Sequence, residues 1–161
     1  MKIEEIKVKP IGIIHTSYTE TKGMPVQGIF EKEGIGRVEL FPEYLDGLKD
    51  IDGFSHLILI YCFDREDEEA LVRAPLLEDD VHGIFAVRSP KRPNNIGLSI
   101  VKLEGLESNG LVFSQVDILD ETPLLDIKPY VSYFDARGNV ENGWLDKHFI
   151  NGKVPERTIL R

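Results

Sequence analysis

The stretch that decides the fold is residues 83–103, GIFAVRSPKRPNNIGLSIVKL. Residues 83–87 are mostly apolar and residues 99–103 alternate between apolar and polar, so each end predicts a β-strand. Residues 88–98 lie between them and contain two prolines. Because proline removes a backbone donor and fixes φ, this middle part predicts neither helix nor regular strand. We interpret it as a stiff, pre-shaped loop between two strands.

The composition of this loop suggests a binding role. Asn94, Asn95 and Gly97 are residue types that tolerate positive φ. The loop carries three cations: Arg88, Lys91 and Arg92. A rigid loop loses little entropy when it binds a ligand. The alternative, a plain turn with solvated basic residues, stays open at this point.

Length and composition indicate one ordinary domain. The chain has 161 residues, of which 42% are hydrophobic and 29% charged, and these values are typical of a globular protein. We find no apolar run long enough to span a membrane and no signal peptide. The single cysteine, Cys62, fits a reducing compartment. We therefore expect a cytoplasmic protein that has no membrane partner.

The formal net charge of −9 argues against an obligate nucleic-acid coat protein. It leaves room for an RNA enzyme with a local basic patch, because the local field decides where a polyanion binds. Residues 88–102 contain four cations and no acidic residue. A basic patch is therefore expected there.

The remaining hydrophobic patterns predict many short strands and little helix. We predict strands at residues 10–17, 36–41, 55–63, 83–88, 99–106, 110–118 and 129–134, and helical segments at residues 42–48 and 64–73. Residues 55–63 are apolar at both alternating positions, which predicts the most buried strand, covered on both sides. Such a pattern indicates an antiparallel barrel or sandwich, and we favour the barrel because it leaves no exposed edge.

The predicted fold class is therefore mostly β: a single antiparallel β-barrel domain with short helical excursions and no Rossmann sheet. We assign residues 1–140 to the barrel. Residues 141–161 form a tail with Trp144 and Phe149 among polar residues. Such a tail is expected to pack on its own domain or on a partner subunit.

Several classes of site are excluded by the motifs. The sequence has no serine-hydrolase elbow and no P-loop, and a strand follows its only Gly-x-Gly, which therefore fails as a dinucleotide fingerprint. The histidines are far apart in the sequence and match no ligand spacing, so we expect no metal site. They are His15, His56, His82 and His148. We interpret His56, at the mouth of an apolar strand, as a structural residue that needs a partner.

A second informative run is residues 117–130, DILDETPLLDIKPY. If the segment after the predicted bend at Thr122 and Pro123 is extended, Asp126 and Lys128 face the same way. A structural salt bridge is one interpretation. A functional role is the other, because charges beside apolar residues usually have a partner or a task.

Together these runs resemble those of one family: small β-barrel enzymes that use S-adenosylmethionine to methylate N6 of threonylcarbamoyl-adenosine at position 37 of tRNA. The resemblance covers nearly the whole chain, from residue 11 to about residue 135. Its elements are residues 11–14, 25–27, 53–57, 83–98 and 117–130. It implies a barrel that holds the cofactor between loops, works on the tRNA anticodon loop and forms a homodimer.

The resemblance also implies a set of cofactor contacts. Arg88 would pair with the methionine carboxylate, and Asp64 and Asp117 would accept hydrogen bonds from the ribose or the methionine amine. The full set is Gln27, Gly28, Ile29, Phe30, Asp64, Arg65, Arg88, Leu98, Ser114, Gln115, Val116 and Asp117.

Catalytic and RNA-binding residues are predicted from the same two runs. The substrate nitrogen must lose a proton, and we assign this step to Asp126, or to Tyr130 assisted by Lys128. Lys91 and Arg92 are expected to be exposed at the loop tip and to bind tRNA phosphates. A non-catalytic barrel that binds S-adenosylmethionine or a nucleotide as a sensor or adaptor is the alternative function, and a purely structural dimer module is a third. Trp144 and Phe149 are the expected dimer anchors.

Overall fold

Six strands close into an antiparallel barrel in the computed structural model, which describes residues 5–160. Around the barrel the order is β1-β2-β7-β6-β3-β8, and a short β4–β5 pair stands apart. The strand bounds are β1 Gly12–His15, β2 Ile35–Leu40, β3 His56–Cys62, β4 Val72–Arg73, β5 His82–Gly83, β6 Ile96–Glu107, β7 Gly110–Ser114 and β8 Thr122–Pro129. The predicted mostly-β antiparallel barrel is confirmed.

The helices of residues 5–160 are short. One α-helix, α1, spans Ser132–Asp135. The 3₁₀ helices are Gly28–Phe30, Pro42–Leu48, Ile51–Gly53, Ile84–Ala86, Pro93–Asn95, Gly143–Leu145, Ile150–Gly152 and Glu156–Thr158. None of these helices has the length and apolar character that crossing a membrane requires.

Alternating side chains fill the barrel. In β2 exposed and buried residues alternate, so that Val38 and Leu40 point inward. The centre is occupied by Phe113, which is fully buried, with Leu57 and Leu59 packed in the same cluster. Burying each such side chain contributes roughly 1.5–3 kcal/mol, so this interior is the main source of stability.

Strand β3 is covered differently from the prediction. Its residues alternate between buried and half-buried, so only one face lies in the interior. The most completely buried strand is β7, in which four of the five residues are buried. The apolar residues on the other face of β3 belong to the outer wall of the barrel. The sequence pattern alone does not distinguish apolar residues on an outer wall from residues that face a second core.

Three predicted elements are wrong. Residues 64–73 form a turn, an irregular stretch and the short strand β4 rather than a helix, and the acidic side chains of Asp64 and Glu68, four residues apart, would repel each other on a helix. In the strand predicted at residues 83–88, only Gly83 belongs to a strand, β5, and a 3₁₀ helix follows at Ile84–Ala86, since the partner strand β4 is only two residues long. The strand β8 ends at Pro129 and does not continue through residues 130–134, where Asp135 Oδ2 accepts from Val131 N at 2.7 Å at the start of α1.

Two further boundaries differ from the prediction. Strand β7 ends at Ser114 rather than at residue 118, and Gln115 adopts φ 64°. The bend predicted at Thr122 and Pro123 lies at Glu121, which has φ 60°, and β8 begins immediately afterwards.

The loop of residues 88–98 combines a turn and a close contact. Asn94 and Asn95 have positive φ, 66° and 50°, as their residue types predicted. Gly97 does not need glycine for its backbone conformation; it needs glycine because of a close contact. A Cβ on Gly97 would lie 2.2 Å from the Tyr61 ring, so glycine lets β6 approach that ring.

The tail packs on the barrel domain of its own chain. Trp144 Nε1 donates to Ala86 O at 2.8 Å, and the Phe149 ring stacks on Phe30 with centroids 6.1 Å apart. Both rings expected to anchor a partner subunit are thus engaged within the chain. The last residue of the predicted tail, 161, lies outside the described residues.

Truncation of the central ring tests this core. Phe113→Ala should lower the free energy of unfolding by about 3–5 kcal/mol, because it leaves a cavity where the barrel is most tightly packed. Phe85→Ala is the matched control, since that ring is 80% exposed and should change stability by about 0.5 kcal/mol or less. Urea denaturation measures both. Equal small effects would show that the barrel centre is not close-packed.

Candidate functional site

A cavity of about 380 Å³ lies between the outer face of β6 and several loops. This volume falls within the range of small-molecule sites, roughly 300–1,000 Å³. Its lining combines charged, amide, aromatic and aliphatic side chains: Gln27, Gly28, Ile29, His56, Arg88, Ile100, Gln115, Asp117 and Tyr130.

Asp117 is the carboxylate of the cavity, and the chain after β7 places it there. The left-handed conformation of Gln115 turns the chain out of the ladder, and Asp117 follows two residues later. Asp117 Oδ2 accepts from Gly28 N at 3.0 Å, and Oδ1 accepts from Ser99 Oγ at 2.5 Å. Ser99 is also bonded to the Tyr61 hydroxyl, at 3.0 Å. A polar chain therefore runs from the barrel interior to the cavity.

Burial controls the ionisation of the two titratable groups in this hydrogen-bonded series, Asp117 and Tyr61. It raises the pKa of Asp117, while the hydrogen bonds from Ser99 and Gly28 and the positive charge of Arg88 oppose the rise. Burial, and then the negative charge of Asp117, raises the pKa of Tyr61. Tyr61 therefore stays a neutral hydrogen-bonding group, and Asp117 carries an ionisation cost that a donor-rich ligand would reduce.

Gly28 brings the neighbouring loop onto Asp117. A Cβ on Gly28 would lie 1.7 Å from Gln115 O, so only glycine fits this packing. The 3₁₀ helix Gly28–Phe30 therefore begins directly against the segment after β7, and it directs Ile29, which is 60% exposed, into the cavity wall.

Arg88 faces Asp117 from a different loop. It follows the 3₁₀ helix Ile84–Ala86, and its Nη1 donates to Gln27 Oε1 at 2.7 Å. The guanidinium is exposed. Since one bond to a neutral amide leaves further N–H groups directed outward, Arg88 can still bind a carboxylate or phosphate in a bidentate way.

His56 and Tyr130 form the other polar part of the wall. Their rings meet edge to face with centroids 6.3 Å apart, and Tyr130 N donates to His56 O at 3.0 Å. His56 Nδ1 lies 2.9 Å from Ser55 Oγ. Ile100 lies nearby on β6. An imidazole and a phenol side by side can accept or relay a proton from a bound substrate.

The arrangement suits one kind of ligand. It offers a cation for a carboxylate at Arg88, an acceptor for hydroxyl or ammonium groups at Asp117, and apolar surface at Ile29 and Ile100. The polar groups are few and converge from separate loops, which is typical of small-molecule sites.

The structure gathers only part of the predicted site. Six of the twelve predicted cofactor residues line the cavity: Gln27, Gly28, Ile29, Arg88, Gln115 and Asp117. The other six are not among the lining residues: Phe30, Asp64, Arg65, Leu98, Ser114 and Val116. Among the predicted catalytic residues, Tyr130 lines the cavity, whereas Asp126 and Lys128 do not.

Each residue outside the cavity has its own environment. Arg65 Nη2 donates to Thr122 Oγ1 at 3.2 Å, and its Nε lies 3.5 Å from the Asp64 carboxylate. Ser114 Oγ donates to Glu104, and Val116 belongs to the core. Leu98 lies exposed on the outer face of β6.

Asp126 and Lys128 form the ion pair that the structural interpretation expected. Lys128 Nζ lies 2.7 Å from Asp126 Oδ2, and the two side chains are 58% and 43% exposed respectively. An exposed pair of this kind contributes about 0–1 kcal/mol and leaves the carboxylate well solvated. The geometry thus favours His56 and Tyr130 over Asp126 as the groups that face a substrate.

Lys91 and Arg92 lie outside the core, as predicted, and both are half-buried rather than fully exposed. Lys91 Nζ bonds to Glu68, its side chain is 23% exposed, and Glu66 lies 3.7 Å away. Arg92 Nη1 donates to Val87 O at 3.0 Å. The acidic run at residues 66–69 folds over the loop, so phosphates would have to displace carboxylates to reach Lys91.

Sequence reasoning did not assign His56 and Ile100 to the site. The signal for His56 was its position as a polar residue at the start of an apolar strand, which we interpreted as structural. Ile100 gave no signal, because an aliphatic residue in a strand is expected in any barrel.

A family comparison identifies this architecture. Residues 13–136 match the family described as the tRNA-methyltransferase O N-terminal domain. A relative in Pyrococcus abyssi, named a probable S-adenosyl-L-methionine-binding protein, is 52% identical over 140 residues, covering 87% of this chain and 76% of the relative. The chain belongs to the tRNA-methyltransferase O family.

More distant relatives agree with this assignment. The human tRNA (adenine(37)-N6)-methyltransferase is 30% identical over 158 residues, which cover 94% of this chain and 36% of the human protein. The crystal structure of TrmO from Pseudomonas aeruginosa matches with a TM-score of 0.74 and 36% identity, over 87% of this chain and 62% of that one. The chain thus spans less than two thirds of both proteins.

Replacement of Asp117 tests the electrostatics of the cavity. Folding raises the pKa of Asp117, so protonated Asp117 favours the folded protein. Its contribution to the free energy of unfolding is fully present below the pKa of an aspartate in the unfolded chain, about 3.9. That contribution is lost as the pH rises through the pKa of Asp117 in the folded protein. Relative to Asp117→Asn, which cannot ionise, the wild type should therefore lose stability as the pH rises above about 4. Urea unfolding from pH 3.5 to 7 measures this difference.

The matched control is Asp46→Asn, since Asp46 is exposed. Its stability curve should stay parallel to that of the wild type. If the Asp117→Asn curve is also parallel to the wild-type curve, Asp117 ionises as an ordinary surface carboxyl, and the electrostatic description of the cavity is wrong.

Proposed function

We propose that this chain binds S-adenosylmethionine in the cavity and transfers its methyl group to N6 of adenosine 37 in tRNA, with threonylcarbamoyl-adenosine as the natural acceptor. The observation that carries this proposal is the convergence of Arg88 and Asp117 on one cavity in a member of this family. The names of the relatives support the cofactor and the RNA substrate.

The donor set of the cavity fits this cofactor. Arg88 would hold the methionine carboxylate by a charge-assisted bond. Asp117, whose ionised form is costly without donors, would accept from the ribose hydroxyls or the methionine amine. Ile29 and Ile100 offer apolar surface for the adenine. The cofactor, when bound, supplies an electrophilic methyl group on a positively charged sulfur.

The protein contributes positioning and proton transfer. Methyl transfer is an in-line displacement, so most of the acceleration comes from holding the acceptor nitrogen opposite the leaving sulfur. We place the acceptor beside His56 and Tyr130. Histidine is the side chain that most often acts as a general base, and His56 would take the N6 proton with Tyr130 orienting the ring.

An acidic protein can bind tRNA only where positive charge is concentrated locally on its surface. The net charge of −9 disfavours contact with a polyanion over the whole surface. Arg88 is the cation that lines the cavity, so the anticodon loop is expected to approach there. Activity on tRNA would place the protein in the cytoplasm.

The alternative function is a sensor or adaptor that binds S-adenosylmethionine without turning it over. The name of the Pyrococcus relative, a binding protein, favours it. The two functions share the cavity and the cofactor and differ only in the fate of the methyl group.

Binding and turnover are tested together. Calorimetry should show that the wild type binds S-adenosylmethionine, and that Arg88→Ala weakens binding by about 10- to 100-fold, as expected when a charge-assisted hydrogen bond of about 1.5–3 kcal/mol is lost. Incubation with methyl-labelled cofactor and tRNA, followed by mass analysis of nucleosides, should reveal label on N6 of the modified adenosine. His56→Ala should bind the cofactor normally and transfer methyl groups much more slowly.

The controls separate the alternatives. Arg37→Ala removes an exposed arginine that pairs with Glu107 on the barrel wall, and it should leave both readouts unchanged. A wild type that binds the cofactor and leaves all tRNA unlabelled would support the sensor function. A wild type without measurable affinity would contradict both.

We also infer a homodimer, formed through the outer faces of β3 and β6. In register, Ile60 lies opposite Leu98 and Cys62 opposite Ile96. Ile96 and Leu98 are 48% and 47% exposed and do not line the cavity, so an aliphatic surface faces outward beside it. A self-complementary apolar patch is the usual basis of a two-fold dimer. This surface replaces the tail as the predicted interface.

Sedimentation equilibrium at micromolar concentration tests the dimer. The wild type should sediment as a dimer, and Leu98→Glu should sediment as a monomer because a charge would be buried in the interface. Leu106→Glu is the matched control, since Leu106 lies at 44% exposure near the far end of the same strand. A monomeric wild type would refute the inference.

A further inference from the structure

The C-terminal strap, which we define as residues 141–160, lies outside the family match at residues 13–136 and yet contacts both loops that wall the cavity. We propose that the strap positions the cofactor site, with Trp144 as its main positioning residue. This inference rests on the proposed function, because it identifies what holds Arg88 and Gln27 in place for the cofactor.

The first attachment lies behind Arg88. Trp144 Nε1 donates to Ala86 O at 2.8 Å, and the indole stacks on His82 with centroids 4.9 Å apart and an interplanar angle of 18°. Ala86 ends a 3₁₀ turn and Arg88 follows two residues later. Because the indole supplies both a donor and a broad apolar face, it fixes this turn from two directions. The direction in which Arg88 leaves the turn depends on that contact.

A buried carboxylate fixes the strap beneath Trp144. The Glu78 side chain is 8% exposed and accepts from three groups: His82 Nε2 at 2.5 Å, His148 Nε2 at 2.5 Å and Lys147 Nζ at 2.6 Å. The bond from Lys147, with those from both imidazoles, holds the pKa of Glu78 at about 2 against the effect of burial. Two of the four histidines, His82 and His148, which are far apart in the sequence, thus meet here.

This cluster has a structural role in the fold. Its two carboxylate oxygens each bind a different imidazole, and within residues 5–160 no three histidine, cysteine, aspartate or glutamate side chains are arranged to hold a metal ion. Because Glu78 stays ionised, the strap remains attached to the segment before β5 at neutral pH.

The second attachment lies behind Gln27. Val26 N donates to Thr158 O and Leu160 N donates to Met24 O, both at 2.8 Å. The chain beside these bonds forms a β-bridge between Pro25 and Ile159. The Phe149–Phe30 stack adds a contact on the far side of the 3₁₀ helix Gly28–Phe30. Both ends of the segment that carries Gln27 are therefore held by the strap.

The two attachments act on one hydrogen bond. Arg88 Nη1 and Gln27 Oε1 are joined at 2.7 Å across the cavity mouth, and the strap holds the backbone behind each residue. Two loops held in their binding geometry lose less conformational entropy when a ligand arrives. Releasing the strap should therefore weaken cofactor binding without removing any atom that touches the cofactor.

Variants of the full chain test this role. Trp144→Ala should raise the dissociation constant for S-adenosylmethionine by about tenfold or more, which corresponds to about 1.4 kcal/mol. Trp144→Phe keeps an aromatic face and should recover part of that loss. Ile150→Ala, at a strap residue that is 64% exposed, is the matched control and should bind like the wild type. At saturating cofactor, the transfer rate of Trp144→Ala should return close to the wild-type rate, which a misfolded fraction would not allow.

Hydrogen exchange of the ligand-free proteins provides a readout that is independent of the cofactor. Trp144→Ala should speed exchange at residues 24–30 and 84–88 and leave β7 protected as in the wild type. Wild-type exchange in both loops, or wild-type cofactor affinity, would overturn the positioning role. If the wild type binds no cofactor while the variant loosens both loops, the proposed function fails and the strap still positions the cavity wall.

Discussion

The Asp117 carboxylate joins the barrel to the loops of the cavity, and the geometry of the site depends on it. One oxygen accepts from Ser99, inside the barrel wall, and the other from the backbone of Gly28 in the loop opposite. An ionised carboxylate at a partly buried position needs such donors, because unpaired burial is costly. The same two bonds that reduce this cost also hold the loop of Gly28 against the barrel.

The contact between the loop and Asp117 requires a glycine at residue 28. The carbonyl of Gln115 occupies the space where a side chain at residue 28 would begin. The loop can therefore approach only as bare backbone, and its N–H reaches the carboxylate as a consequence. One missing side chain and one left-handed residue, Gln115, together decide where Asp117 faces.

A small barrel places its ligand differently from an open α/β sheet. Its interior is filled by side chains such as Phe113 and Leu59, so a ligand has to bind outside the wall, among the loops. Loops provide chemical variety with little rigidity. This explains why contacts outside the cavity hold its loops in place: the Trp144 indole and the Glu78 cluster.

Much of the fold was readable from local patterns. Alternation in β2 and β6 and the positive φ of Asn94 and Asn95 follow from properties of neighbouring residues. The predictions that were wrong concern segments whose structure depends on contacts with residues distant in the sequence. Residues 83–87 have strand composition, and they lack a long strand to pair with. The second apolar face of β3 looks like core in sequence and lies on the outer wall.

The sequence by itself determined most of the strand-forming segments, the loop that precedes β6 and the presence of Arg88 and Asp117 in two informative runs, because these features depend on residue type and short-range order. Only the tertiary structure decided which side chains meet. Gly28 and Asp117 are 89 residues apart, and Trp144 and Ala86 are 58 apart. Such pairs form when strand register and loop closure bring them together. The same closure paired Lys91 with Glu68 and brought His56 to the cavity, since contacts between distant segments depend on the geometry of the whole chain.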